Sequence, residues 1–143
     1  MMPDEKLFID TMKRLNIKLS DKVVCYDAGA MQLFGYRALW MLQTMGHKNC
    51  FVLDGGYQKW VAEGKPIEVS DDTVTAQDYD YKLEEHHLLH YEQIKEYEMN
   101  PNGQILLDGR APDQFKAGHI KNSKNFPLPK IVSMDTKTMK PAD

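Results

Sequence analysis

The sequence predicts an α/β fold, a parallel sheet with helices on both faces, and three observations carry that reading. The runs Val23-Val24-Cys25-Tyr26, Cys50-Phe51-Val52-Leu53 and Ile105-Leu106-Leu107 are short and uninterrupted, as strands buried on both faces are. Segments with apolar residues three and four apart alternate with them, which argues parallel pairing through helical crossovers. The 143 residues are 42% hydrophobic and 27% charged, enough for a core at the length of one ordinary domain.

Each element follows in order. Pro3, Asp4 and Glu5 precede Leu7, Phe8, Met12 and Leu15, so the spacing predicts a helix over 4–16. Asp27-Ala28-Gly29-Ala30 ends the first strand. Between Met31 and Met45, the residues Phe34, Ala38, Met41, Leu42 and Met45 form a helical stripe, and Gly46 supplies a left-handed stop. After the second strand, Asp54-Gly55-Gly56 is a turn that needs positive φ, and it is too short for a nucleotide fingerprint. Tyr57, Trp60 and Val61 mark a short helix closed by Gly64 and Pro66. Leu89, Ile94 and Tyr97 share one face of a helix over 90–99, ended by Asn100-Pro101-Asn102-Gly103. A third strand, a helical turn over 111–115 and a short strand at Asn125-Phe126 complete the chain.

Residues 1–68 and 86–143 are thus two structured stretches, and 69–85 between them form an acidic linker with four Asp and two Glu against one Lys. The formal charge is −3 and the pI about 5.9, without a basic stripe, so nucleic acid is not an expected partner. No apolar run approaches the ~20 residues that span a bilayer, and no membrane span is expected. The first twenty residues mix acids and bases and show no address label. Cys25 and Cys50 lie inside strands, where they read as small buried side chains and not as a disulfide framework.

Two stretches carry a resemblance. Val23-Val24-Cys25-Tyr26-Asp27, Arg37-Ala38-Leu39-Trp40-Met41, Gly46-His47, Val52-Leu53-Asp54-Gly55-Gly56-Tyr57, Trp60, Gly64 and Pro66 resemble the C-terminal half of a rhodanese domain, particularly the first domain of tandem thiosulfate and 3-mercaptopyruvate sulfurtransferases. Leu107-Asp108-Gly109-Arg110, Asp113-Gln114-Phe115, Gly118-His119-Ile120 and Ser123-Lys124-Asn125-Phe126-Pro127 resemble the N-terminal half of such a domain. The halves stand in the order expected of the tail of a first domain followed by the head of a second. The expected fold is therefore rhodanese-like, and the chain a fragment, a circularly permuted domain, or one completed by another chain.

The resemblance implies sulfur transfer through a cysteine persulfide held in a loop of backbone N–H groups that opens a helix. Asp27 occupies the persulfide-cysteine position, and a carboxylate cannot carry a sulfane sulfur. No catalytic residue is therefore expected among these residues. Arg110 matches an arginine that binds the anionic substrate in tandem relatives, through paired hydrogen bonds to a sulfonate or carboxylate. The plainer reading of Asp108 and Arg110 is a local structural hydrogen bond. His119 reads as a hydrogen-bonded turn histidine. His86, His87 and His90 are close together, but no second cluster completes a ligand set, so neither metal nor cofactor is expected.

Two accounts follow. In the first, the chain is a sulfurtransferase family member that is inactive alone, taking a small anionic sulfur donor only when completed. In the second, it is a non-catalytic rhodanese-like subunit of a larger complex. Either calls for a protein partner unless the strands around Val23 and Val52 pair with those around Leu106 and Phe126 in one permuted sheet. The resemblance implies a mitochondrial or cytoplasmic setting.

Overall fold

The structure, a computed structural model, describes residues 2–29, 32–69, 88–99 and 102–141. It divides into two units, Met1–His87 and Leu88–Asp143. The acidic linker, along with His86 and His87, lies almost wholly outside the described residues.

The first unit opens with α1 (Glu5–Arg14). Asp4 caps it by accepting the Leu7 N–H at 2.8 Å, and Lys13 and Arg14 sit at the end where the helix dipole favours cations. One face of α1 buries Phe8 and Met12. The strand β1 (Val23–Cys25) then leads through α2 (Leu33–Thr44) to β2 (Cys50–Val52), and α3 (Gly56–Ala62) follows. The strands pair in parallel with Val23 opposite Cys50 and Cys25 opposite Val52, which makes one βαβ unit. Gly46 at φ 87° ends α2 as its sequence position predicts, and the next N–H, from His47, reaches back to the Leu42 carbonyl at 2.9 Å. The helix begins at Leu33 and not at Met31, after a left-handed Gln32.

Phe8, Met12, Leu42, Met45 and Cys50 form the core, with Val23, Cys25 and Leu39 packed against it. The two strands are not buried on both faces, which corrects the sequence expectation. Val24 and Phe51 are each 49% exposed. The period of two sends alternate residues to opposite sides, and only the side carrying Val23, Cys25 and Cys50 meets α1 and α2.

In the second unit, α4 (Tyr91–Met99), β3 (Leu107–Asp108), α5 (Pro112–Ala117) and β4 (Lys124–Asn125) precede a 3-10 turn over Leu128–Lys130. Leu107 pairs with Lys124 and Asp108 with Asn125, again in parallel. Buried Tyr97 ties α4 to the approach of β3, its hydroxyl donating to the Gln104 carbonyl at 3.2 Å and accepting the Leu106 N–H at 3.0 Å. Among the described residues β1 pairs with β2 in the first unit and β3 with β4 in the second. Each pair is joined through its own crossover helix, α2 in the first unit and α5 in the second.

Candidate functional site

Asp27 stands two residues beyond the end of β1, in the loop that opens α2. Its carboxylate accepts the Gly29 N–H at 2.5 Å and the Gly35 N–H at 2.6 Å. The Gly35 donor belongs to the first turn of α2, where backbone N–H groups have no helical acceptor and the dipole favours negative charge. The loop thus contains an anion seat, and the chain's own carboxylate fills it. Ala30 and Met31 lie outside the described residues.

Gln32 closes the floor of this loop. It is 1% exposed and its Nε2 donates to the Gly29 and Gly55 carbonyls at 3.4 and 3.3 Å. Gly56, at φ 53°, leaves room for it: a Cβ there would lie 1.7 Å from Gln32 Oε1. Sequence reasoning missed Gln32, because nothing in its spacing distinguishes a buried amide from a polar helix residue. The glycine pair at 55–56 was the one available signal that something approaches the backbone closely.

Both cysteines lie in the strands of the first unit. Cys25 packs against the core, and the Cys50 thiol donates to the His47 carbonyl at 2.9 Å. Burial pushes both thiols up, with the neighbouring Cys25 adding to the shift at Cys50. Their register, offset by two positions on adjacent strands, puts the Cα atoms about 8 Å apart, too far for a disulfide. Native thiol labelling at neutral pH should therefore run more than about tenfold slower than for an unfolded thiol. Equal rates before and after denaturant would contradict this arrangement.

Arg110, just past β3, is held by its neighbours. Its Nε donates to both Asp108 carboxylate oxygens at 3.0 Å, and its Nη2 to Asp108 Oδ2 at 2.6 Å and the Gly118 carbonyl at 2.7 Å. Both residues line an open cavity of about 620 Å3 together with Gly118, His119 and Ser123. His119 stacks on Phe115 at 3.8 Å, and its Nδ1–H donates to the Phe115 carbonyl at 2.9 Å, capping the end of α5.

The side-chain and backbone hydrogen bonds from Arg110 hold the Asp108 carboxyl below the usual carboxylate range. A carboxyl whose folded pKa is depressed contributes stability that is complete above its unfolded value, about 3.9, and is lost as pH falls through the lower folded value. Carbon-13 titration of the Asp108 carboxyl should show the low midpoint in the parent chain and a rise towards the ordinary value in Arg110→Ala. An unchanged midpoint would place the cause elsewhere.

Among the described residues no three His, Cys, Asp or Glu side chains cluster as a metal site, and no helix is long and apolar enough to cross a membrane. The His90 N–H donates to Gln93 Oε1 at 2.7 Å, a contact that belongs to the start of α4.

Residues 2–63 match the family model described as a rhodanese-like domain. The chain is 31% identical over 138 residues to thiosulfate sulfurtransferase of Gallus gallus, a match covering 90% of this chain and 47% of that protein. It is 26% identical over 147 residues to 3-mercaptopyruvate sulfurtransferase of Homo sapiens, covering 94% of this chain and 49% of that one. The crystal structure of SseA from Escherichia coli, described as a 3-mercaptopyruvate sulfotransferase with the rhodanese fold, matches with a TM-score of 0.85 at 22% identity, over 99% of this chain and 55% of that chain. That likeness shows the fold. The chain spans about half the length of the curated relatives it matches. With its parallel strand pairs and crossover helices the chain has a rhodanese-like fold, its residues 2–63 match the rhodanese-like domain family, and over nearly all of its length it is similar to the thiosulfate and 3-mercaptopyruvate sulfurtransferases.

Proposed function

We propose that these residues are the part of a rhodanese-type sulfurtransferase that does not carry the sulfur. Sulfane sulfur, drawn from thiosulfate or 3-mercaptopyruvate, is held by a cysteine in another rhodanese loop, and the present chain supports the fold and the donor site. The observation that carries this reading is the Asp27 carboxylate, which takes the Gly29 N–H of the loop and the Gly35 N–H of the first turn of α2, where a persulfide anion would need such donors. Arg110 is the group proposed to bind the anionic donor. Asp108 and the Gly118 carbonyl engage its Nε and Nη2, which leaves Nη1 for a sulfonate or carboxylate at the open cavity.

The test is direct. The chain is incubated with thiosulfate, and separately with 3-mercaptopyruvate, and its intact mass is measured before and after. The expected result is no added sulfur atom and no thiocyanate on addition of cyanide. A sulfur adduct mapped to Cys25 or Cys50 overturns the proposal. A second reading, a non-catalytic interaction subunit, is favoured by a different observation, the open apolar face of β1 and β2.

A further inference from the structure

The turn that carries Arg110 is tied to the neighbouring strand by one side chain. Asn125, on β4, stands opposite Asp108 in the parallel register. Its Nδ2 donates to the Asp108 carbonyl at 3.1 Å and to the Arg110 carbonyl at 2.9 Å, so a single amide spans both ends of the turn Asp108-Gly109-Arg110. The Asp108 carbonyl also accepts the Phe126 N–H at 2.8 Å, a backbone bond that continues the strand pair. Packing does not hold the turn: a Cβ built at Gly109 would meet nothing within 4 Å, and Gly109 and Arg110 are exposed. Asparagine is disfavoured in strands, yet this half-buried one uses both N–H groups of its amide on two carbonyls fifteen and seventeen residues earlier in the chain.

We propose that Asn125 is a positioning residue for Arg110: by fixing the carbonyls on either side of Gly109, it sets where the guanidinium stands and leaves Nη1 for the anionic donor. The inference rests on the reading of Arg110 as the donor-binding group. With the turn fixed, Asp108 Oδ1 accepts the Arg110 N–H at 2.9 Å, and the same carboxylate and the Gly118 carbonyl grip Nε and Nη2. Each of those bonds needs the backbone between 108 and 110 in one conformation. A guanidinium on a wandering turn has to be ordered again at every binding event, and that ordering is subtracted from affinity. Asn125 bonds the backbone and not the guanidinium, so its effect runs through Arg110.

Nuclear magnetic resonance of the full chain tests this. In the parent, the side-chain amide protons of Asn125 should exchange with water at least about tenfold more slowly than those of exposed Asn102, a measurement that needs no variant. In Asn125→Ala the Arg110 Nε–H signal should move to the position of an unbonded arginine and the Asp108 carboxyl midpoint should rise, with circular dichroism like that of the parent. Lys124→Ala, at the adjacent exposed position of β4, should move neither. Thiosulfate titration followed on the Arg110 signal should give an affinity that is lost in Arg110→Ala and about tenfold weaker in Asn125→Ala. Asn125 protons that exchange as fast as those of Asn102 overturn the inference, as do a parent-like Arg110 signal and Asp108 midpoint in Asn125→Ala. An affinity lost in Arg110→Ala but unchanged in Asn125→Ala overturns it too and leaves the donor-binding reading standing. A parent Arg110 signal that thiosulfate does not move overturns that reading, and the inference with it.

Discussion

Asp27→Ala lowers the unfolding free energy of the first unit by about 3 kcal/mol, measured by urea denaturation followed through Trp40 and Trp60 fluorescence. The side chain accepts two backbone N–H groups across eight residues of chain, so it joins the loop to the first turn of α2 as well as capping it. Removing it leaves both donors without an acceptor in a partly buried place, and each such loss costs about 1–3 kcal/mol. Asp27→Asn keeps one acceptor oxygen and turns an amide N–H2 towards the other donor, so about half the loss is expected. The same seat should accept a thiolate. Asp27→Cys is therefore expected to label faster than Cys25 or Cys50, because two N–H donors and the helix dipole favour the anion. A fully stable Asp27→Ala together with a slow Asp27→Cys would show that no anion seat exists there.

Gly56→Ala costs a similar amount, about 3 kcal/mol, from two sources. At φ 53° an alanine enters the left-handed region at about 1–2 kcal/mol. Its Cβ would also lie 1.7 Å from Gln32 Oε1, and Gln32 is 1% exposed, so the amide can move only by giving up its bonds to the Gly29 and Gly55 carbonyls. A double-mutant cycle with Gln32→Ala separates the two. The steric part disappears when the amide is gone and the backbone part remains, so the double variant should be more stable than the two single losses summed. Strict additivity would show that the two residues do not meet.

Local signals were largely readable from the residues. Apolar spacing marked α1 and α2, Asp4 and Gly46 marked where they start and stop, and short apolar runs marked β1 and β2. Capping, helical period and strand continuity are set by neighbours within about four residues, so a linear reading reaches them. The same holds for the placement of Asp27 after the first strand, since the strand, the break and the helix are contiguous. At β3 and β4 the reading was one or two residues off, because a two-residue strand offers no period to measure.

The sequence by itself determined the helices and strands, their parallel character, the absence of a thiol from the loop after β1, and the likeness to the rhodanese family. Only the tertiary structure decided that β1 pairs with β2 and β3 with β4 in separate sheets, and that Val24 and Phe51 face outwards. It also decided that Asp27 takes the Gly29 and Gly35 N–H groups, that Gln32 fills the space beside Gly56, and that Arg110 reaches the Gly118 carbonyl. The physical reason is range. Periodicity records which face of an element is apolar, whereas a hydrogen bond between residues eight or twenty-three positions apart depends on where the chain returns, and that is settled by packing.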